Sequence, residues 1–198
     1  MCGRYSLVAS QGILEARFGV TFDFAFEPRY NAAPGQNLPV VTDDNPDSVS
    51  RLEWGLVPRW ADDASDRHIN ARSETVTDRP AFADAYESRR CLVLADGFYE
   101  WSDTPDGKQP YRVAFEDDRP FAMAGLWERW TPPTRQTGLG DFGDGTAETP
   151  GEEPIETFTV LTTEPNAVVA PLHHRMAVVL TPEAEDAWLD GEAVSFDP

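Results

Sequence analysis

The sequence predicts an α+β domain in which most strands are antiparallel. Its 198 residues are enough for one domain, and 40% of them are hydrophobic, so the chain can bury a sizeable core. Short apolar segments bounded by turn residues outnumber segments with helical spacing. No internal repeat interrupts this pattern. We therefore expect one domain over residues 1–198, with a largely antiparallel sheet and three to four short helices.

The predicted elements of the first half follow from apolar runs and from the residues that end them. Ser10 and Gly19 are typical of the start and the end of a helix, and residues 20–37 are rich in Pro, Asn and Gly. Over residues 1–90 the sequence predicts a strand at 4–8, a helix at 10–18, loop at 20–37, strands at 38–41 and 52–57 around an acidic turn at 43–47, and a helix at 80–88.

The second half is predicted to contain more strands. They are expected at 91–94, 98–102, 111–115, 121–127, 158–162 and 176–180, with a hairpin turn at Asp106-Gly107, a short helix near 166–170 and a last helix from Pro182 to 188. Residues 131–154 differ from the rest, because they are acidic, rich in Gly and Pro and poor in apolar residues. We expect a solvated surface insertion there, not a second domain.

The chain is strongly acidic. It holds 16 basic and 35 acidic residues, for a net charge of −19, and Lys108 is its single lysine. This composition suggests adaptation to high salt, a hypothesis that full folding and activity in salt-free buffer would contradict. Residues 131–198 contain 2 basic and 13 acidic residues. An anion site is therefore expected to use the arginines of residues 1–130.

Compartment and redox state follow from what the sequence lacks. No apolar run approaches the ~20 residues of a membrane helix, and the first residues do not have the layout of a signal peptide. We expect a cytoplasmic protein without a membrane segment. Two cysteines, Cys2 and Cys91, do not form a disulfide framework. Cys91 lies in an apolar run and is expected to be a buried small side chain.

Cys2 is the residue with the most distinctive chemistry. Removal of Met1 would leave Cys2 with a free amine and a thiol on adjacent carbons, a pair that an internal cysteine does not have. Such a 1,2-aminothiol condenses with an aldehyde to an imine, and the thiol then closes a thiazolidine ring. The amine titrates at ~8 and a thiol at ~8.5, so both are expected to be partly available at neutral pH.

Glu100 lies in a strand between Tyr99 and Trp101. Burial beside aromatic rings raises the pKa of a carboxyl group, which suits acid–base catalysis. Strand alternation places Phe98 and Glu100 on one face and Tyr99 and Trp101 on the other. An exposed glutamate with no catalytic part is the alternative that spacing leaves open.

Two adjacent histidines, His173 and His174, form a second candidate group. The chain has no CxxC or HExxH motif, and we expect no metal and no cofactor. If their segment is extended, one ring faces the site as an acid or base and the other faces solvent.

Asn70 and Arg72 form a third candidate group. Asn70 can donate and accept hydrogen bonds, although asparagine more commonly occupies turn or cap positions. In an extended segment Arg72 would lie on the same face as Asn70, and its guanidinium could bind phosphate.

These residues belong to a set of motifs that resembles one known family. The motifs are Met-Cys-Gly-Arg at 1–4, Arg-Tyr-Asn-Ala-Ala-Pro-Gly at 29–35, Trp-Gly-Leu-Val-Pro at 54–58, Asn-Ala-Arg-Ser-Glu-Thr at 70–75, Gly-Phe-Tyr-Glu-Trp at 97–101 and His-His-Arg-Met at 173–176. Their order and spacing over nearly the whole chain resemble the SOS-response-associated peptidase (SRAP) family. The resemblance implies a SRAP-like domain with a curved or barrel-like sheet.

The resemblance also implies a function. Family members sense and shield abasic sites in single-stranded DNA, and they crosslink to the ring-opened sugar through a thiazolidine at the mature N-terminal cysteine. By motif, Cys2 would be the nucleophile, Glu100 would assist proton transfer, His173 would protonate the sugar ring oxygen, and Asn70 would orient Cys2. DNA contacts are implied for Arg4, Asn31, Trp60, Arg72 and Thr162. The implied partner is single-stranded DNA with abasic sites, bound by a monomer.

Two departures and several alternatives remain. The family usually has an acidic residue where this chain has His174 and a proline where it has Ala177, and the insertion at 131–154 is unlike the family pattern. A thiol peptidase or amidase could use Cys2 with His173 as the base and Asn70 to orient it. A non-catalytic reader of modified bases would not need Cys2. A lyase reaction from the imine and removal of Met1 by the protein itself are compatible side activities.

Overall fold

A computed structural model describes residues 2–105, 107–132 and 153–196. These residues form twelve β-strands and three α-helices. The strands are β1 (Tyr5–Leu7), β2 (Thr21–Phe22), β3 (Arg29–Ala32), β4 (Asn37–Thr42), β5 (Asn45–Trp54), β6 (Asn70–Arg72), β7 (Arg90–Ala95), β8 (Gly97–Thr104), β9 (Gly107–Val113), β10 (Phe121–Trp130), β11 (Ile155–Thr163) and β12 (Met176–Ala177). The helices are α1 (Gln11–Phe18), α2 (Ala83–Ser88) and α3 (Pro182–Leu189), and Val76–Asp78 form one 3₁₀ turn.

The strands make two sheets. The smaller sheet is antiparallel, in the order β3-β1-β8-β9. The larger has the order β12-β11-β10-β7-β4-β5-β2, with β6 added beside β11. Because β11 also pairs with β5, the strands β11, β10, β7, β4 and β5 close into a ring. The predicted α+β class, the barrel-like sheet and the number of helices are thus confirmed.

Aromatic side chains connect the two sheets. Tyr5 of β1, Trp54 of β5 and Phe158 of β11 are all fully buried. The ring centroids of Tyr5 and Trp54 are 5.3 Å apart, and those of Trp54 and Phe158 are 6.1 Å apart. Large rings buried in this way contribute much of the hydrophobic stabilisation of a core. They fix the first strand of the chain against the ring of strands.

The end of α1 and the start of α3 agree with their local sequence signals. Gly19 ends α1 in the left-handed conformation, with φ of 69°, which glycine adopts without the strain that a Cβ would add. Pro182 stands in the first turn of α3, where its missing N–H leaves no helical bond unmade. Cys91 is fully buried, as its apolar neighbours predicted.

Several predicted boundaries were wrong. Residues 20–37 are not all loop, because β2 pairs with β5 and β3 pairs with β1. Residues 167–172 form turns rather than a helix, and β12 is shorter than the predicted strand at 176–180. The short strands β2, β3 and β12 are held by strands elsewhere in the chain, and such partners leave no periodic pattern in the local sequence.

The strand that was predicted at 52–57 begins earlier and ends earlier, since β5 covers Asn45–Trp54. The turn before it is only the pair Asp43 and Asp44, because Thr42 already pairs with Asn45. Most of the predicted insertion, residues 133–152, and Asp106 of the predicted hairpin turn lie outside the described residues. Within the described ranges, no helix is long and apolar enough to cross a membrane.

Candidate active site

The first strand carries Cys2 into the interior. β1 lies between β3 and β8, and the Tyr99 N–H donates to the Arg4 carbonyl at 2.9 Å just before β1 begins. Cys2 is fully buried, and its Sγ lies 3.8 Å from the Arg4 carbonyl oxygen. Arg4 folds back, with Nη1 2.7 Å from the Gly3 carbonyl oxygen. Residues 2–4 are therefore held next to the smaller sheet by these backbone contacts.

A buried carboxylate holds the other end of β1. Asp96, 1% exposed, accepts hydrogen bonds from the Ser6 hydroxyl at 2.7 Å, from the Ala9 N–H at 3.0 Å and from the Val8 N–H. Arg112 Nη2 completes the set at 3.1 Å. A Cβ at position 97 would lie 2.6 Å from Arg112 Nε, so a larger residue there would have to displace the Arg112 side chain.

The thiol of Cys2 is kept neutral by its surroundings. Burial, and then the negative charge of Glu100, raise the pKa of the Cys2 thiol to about 12. This differs from the expectation that the thiol would be partly ionised at neutral pH. That expectation used the pKa of a solvated thiol, whereas Cys2 has no exposed surface. The sulfur therefore needs a base to take its proton when it reacts.

Glu100 is the carboxyl group whose charge acts on the Cys2 thiol. It lies on β8 opposite Tyr111 of β9 and is 2% exposed, whereas the neighbouring Trp101 is 36% exposed. The predicted alternation of faces is therefore present. Burial raises the pKa of the Glu100 carboxyl, and the nearby charge of His174 acts in the opposite direction. A carboxylate with a raised pKa accepts a proton more readily than one in water.

The two histidines do not face opposite ways, and that expectation was wrong. The rings of His173 and His174 are stacked, with centroids 4.3 Å apart and an angle of 26° between their planes. The segment is not extended, because the His173 N–H donates to the Val169 carbonyl at 3.0 Å and closes a helical turn. Burial lowers the pKa of His173, and the positive charge of His173 lowers the pKa of His174.

A third group of residues lies where β6 meets β11. Asn70 pairs with Val160 and Arg72 with Thr162 in parallel register. The Asn70 Oδ1 is buried and has no hydrogen-bond partner among the described residues, while its Nδ2 lies 3.5 Å from the Val160 carbonyl oxygen. Thr162 is fully buried, and its hydroxyl donates to the Ala71 carbonyl at 3.3 Å. Direct contact of Thr162 with DNA would require it to become exposed.

A surface groove runs beside this group. It has a volume of about 490 Å³, and its walls include Trp60, Asn70 and Arg72. Trp60 is 60% exposed, and its indole N–H donates to the Pro80 carbonyl at 3.3 Å, which holds the ring at the surface. Asn31 is exposed on β3, at the outer edge of the smaller sheet. The groove thus contains two of the predicted DNA contacts, Trp60 and Arg72, together with Asn70, and Asn31 is not among its lining residues.

Charged residues that were not singled out from the sequence complete the site. Arg175 is 8% exposed and binds both carboxylate oxygens of Glu74, at 2.6 and 2.9 Å. Both residues lie inside motifs that carry the resemblance, and a charged residue in the middle of such a motif is the signal that could have found them. Asp96 and Arg112 had a weaker signal, because they are adjacent only after folding.

The fold and the site define a strand-rich protein with a buried thiol near its N-terminus, next to a carboxyl group with a raised pKa. Among the described residues, no group of three or more His, Cys, Asp or Glu could hold a metal ion. A family model described as "SOS response associated peptidase (SRAP)" matches residues 1–197. The chain therefore belongs to the SRAP family.

Relatives and solved structures agree with this assignment. The chain is 36% identical over 197 residues to the abasic site processing protein YoqW of Bacillus subtilis, and the matched region covers 96% of this chain and 80% of YoqW. It is 33% identical to the abasic site processing protein HMCES of Gallus gallus, over 83% of this chain and 54% of that protein. A crystal structure of a protein from Bacteroides thetaiotaomicron superposes with a TM-score of 0.81 at 27% identity, over 98% of this chain and 83% of the other.

Proposed function

We propose that this protein captures abasic sites in single-stranded DNA as a covalent thiazolidine adduct at Cys2. The observation that carries the proposal is the burial of the Cys2 thiol beside Glu100, in a chain similar to proteins named for abasic site processing. Removal of Met1, which lies outside the described residues, would free the amine. The resulting aminothiol has the two nucleophiles that an aldehyde needs to form a stable five-membered ring.

The chemistry balances with the residues present. The Cys2 amine attacks C1′ of the open sugar, water leaves, and a C=N bond forms. The sulfur then adds to that carbon, so a C–S bond forms, the thiol loses its proton and the nitrogen gains one. Glu100 is proposed to carry protons between these atoms, because burial raises the pKa of its carboxyl. Asn70 is proposed to orient the amine through its buried Oδ1, which has no partner among the described residues.

His173 is proposed to open the sugar ring. An abasic deoxyribose is mostly a closed hemiacetal, and protonation of its ring oxygen releases the aldehyde. The neighbouring His174, which is exposed, is the alternative in this stacked pair. If His173 has this role, His173→Ala slows adduct formation while His174→Ala does not, as gel shift after denaturation would show. The reverse result would assign the role to His174.

DNA is proposed to lie along the groove that contains Trp60 and Arg72, with Arg4, Asn31 and Thr162 near the lesion. Trp60 is exposed and can stack on an unpaired base, a contact worth about 1–3 kcal/mol. The net charge of −19 opposes reversible binding to DNA. We therefore expect adduct formation to tolerate salt better than binding to intact single strands, and equal loss of both in a salt titration would count against covalent capture.

The decisive experiment is intact mass spectrometry after the protein is mixed with an oligonucleotide that contains one abasic site. We expect loss of Met1 and a mass increase of the oligonucleotide minus one water. Cys2→Ala should give no adduct, and Cys2→Ser should give at most an imine that is lost on denaturation. Competent protein that still carries Met1 would refute the scheme.

A thiol peptidase or amidase is the second candidate, because the family description contains the word peptidase. In that reading the Cys2 thiol attacks an amide with His173 as the base. A peptide panel in the same mass assay separates the two. Cleavage of added peptides without any DNA adduct would favour the peptidase, and full function of Cys2→Ala would favour a non-catalytic reader of modified bases.

A further inference from the structure

Arg175 occupies a position that the proposed chemistry does not explain by itself. Its guanidinium is almost buried and grips Glu74 through both nitrogens, at 2.6 and 2.9 Å. The same Nη2 also donates to the Thr162 carbonyl at 2.5 Å and lies 3.3 Å from the Thr162 hydroxyl. Bidentate contacts of this kind fix both the position and the plane of an arginine. We name Arg175, Glu74 and Thr162 the arginine clamp.

The clamp joins three segments that are distant in sequence. Glu74 is 101 residues from Arg175, and Thr162 pairs with Arg72 on one side and with Ala177 on the other. The Ser73 N–H also donates to the Thr162 carbonyl at 2.9 Å. The side-chain contacts of Arg175 and the pairing of the next strand, β12, with β11 therefore both fix the position of the Arg175 backbone.

That backbone is in direct contact with His173. The Arg175 N–H lies 3.0 Å from His173 Nδ1, and the Arg175 carbonyl oxygen lies 3.2 Å from the same nitrogen. When the imidazole is neutral, the N–H can donate to an unprotonated Nδ1, which places the ring proton on Nε2. When the imidazole is charged, Nδ1–H can donate to the carbonyl. The backbone of one residue, Arg175, thus offers a partner to Nδ1 in either state.

We propose that the arginine clamp positions His173 so that Nδ1 faces the Arg175 backbone and Nε2 faces the sugar. The proposal rests on the proposed function and assigns Arg175 and Glu74 as positioning residues for its ring-opening step. In that step the C1′–O4′ bond breaks, and its electron pair stays on O4′. The imidazolium gives its Nε2 proton to O4′, and the C1′ hydroxyl releases its proton to water. This leaves an aldehyde, a 4′-hydroxyl and a neutral imidazole with its proton on Nδ1, and proton exchange with water then restores the resting tautomer with the proton on Nε2.

The discriminating experiment compares two aldehydes. One oligonucleotide carries a natural abasic site, whose ring must open, and the other carries an acyclic aliphatic aldehyde at the same position. We expect Glu74→Gln and Arg175→Lys to slow adduct formation with the abasic site by about tenfold or more, a part of the ~10²–10⁴-fold that a positioned acid supplies. With the acyclic aldehyde their rates should stay within about twofold of the wild type.

A matched control is available in the same chain. Arg17 grips Glu185 through both guanidinium nitrogens, at 2.9 and 2.7 Å, and links α1 to α3. Arg17→Lys should leave the rates with both oligonucleotides unchanged. Equal slowing of both substrates by Glu74→Gln would mean that the clamp only supports the fold and would overturn the proposal, as would unchanged rates with both.

A second measurement needs no substrate. In ¹⁵N NMR of histidine-labelled protein at pH 8, wild-type His173 should show one neutral tautomer, with the proton on Nε2. Glu74→Gln and Arg175→Lys should show a mixture of tautomers, and the same single tautomer in both variants would refute the inference. If the wild type forms no adduct with either oligonucleotide, the proposed function fails, while this measurement still decides the role of the clamp.

Discussion

Replacing Asp96 by Asn tests whether this carboxylate holds the first strand in place. Asp96 accepts from the Ser6 hydroxyl, from the N–H groups of Val8 and Ala9, and from Arg112 Nη2. An amide keeps one accepting oxygen and turns an NH₂ group toward donors that then have no partner. The variant therefore removes a negative charge that is 1% exposed and leaves the guanidinium without its buried counterion.

The size of the effect follows from these contacts. Removing one partner of a buried ion pair costs about 3–5 kcal/mol. We take the lower part of that range, about 3–4 kcal/mol, because the Arg112 side chain is 30% exposed and can recover some hydration. For a domain of this size, about 2–4 °C of melting temperature corresponds to each kcal/mol. Asp96→Asn should therefore melt about 6–16 °C below the wild type.

The assay is thermal and urea unfolding followed by tryptophan fluorescence, with Asp118→Asn as the matched control. Asp118 binds the other nitrogen of the same arginine at 2.7 Å, but its side chain is 71% exposed. Its φ of 52° is also one that Asn adopts readily. The control should lose less than about 1 kcal/mol. A loss for Asp96→Asn as small as that of the control would refute the reasoning.

Four further predictions concern the site and the surface. In a Cys91→Ala variant that retains Met1, iodoacetamide should label Cys2 at pH 8 about a thousandfold more slowly than it labels a free cysteine. The reason is that the pKa of the Cys2 thiol is about 12 rather than 9.0, so little of it is thiolate. Labelling of the folded protein at the rate of the denatured protein would contradict this. Glu100→Gln should raise the free energy of unfolding at pH 8 but not near pH 4, as urea titrations would measure. The pKa of the Glu100 carboxyl is raised on folding, so protonated Glu100 contributes its full stability below about pH 4.5, the pKa of the unfolded chain. That stability is lost as the pH rises through the pKa of the folded protein. Trp60→Ala should weaken fluorescence-detected binding to single-stranded DNA about 5–150-fold, the equivalent of about 1–3 kcal/mol, and Trp101→Ala, on the face of β8 opposite Glu100, should not. Added KCl should raise the urea midpoint over the molar range, and an unchanged midpoint would argue against adaptation to salt.

Much of the site could be predicted because its chemistry is local in the sequence. Glu100 lies between two aromatic residues, which predicts a strand with alternating faces, and the structure decides for the buried carboxyl group with a raised pKa over the exposed glutamate that spacing also allowed. The end of α1 was equally local, since Gly19 is the residue that adopts a left-handed φ without strain. Such features need no knowledge of distant partners.

The parts that could not be predicted depend on contacts between distant residues. β3 exists because it pairs with β1, and no alternation within Arg29–Ala32 signals it. The stacking of His173 on His174 depends on the turn before them, where the sequence predicts a helix followed by an extended segment. The burial of Cys2, which changes its thiol from partly ionised to neutral, likewise requires the strands that enclose it.

The inner position of β1 has a mechanical consequence. β3 flanks it on one side and β8 on the other, and Tyr5 is wedged against Trp54 behind it. A nucleic acid strand joined to Cys2 would be anchored to the middle of the sheet. Tension on the nucleic acid would act on the hydrogen bonds of β1 with β3 and with β8 at the same time. The covalent linkage should therefore resist force until the strands of the smaller sheet separate. Enzymes that digest the protein from its outer loops would reach the anchor last.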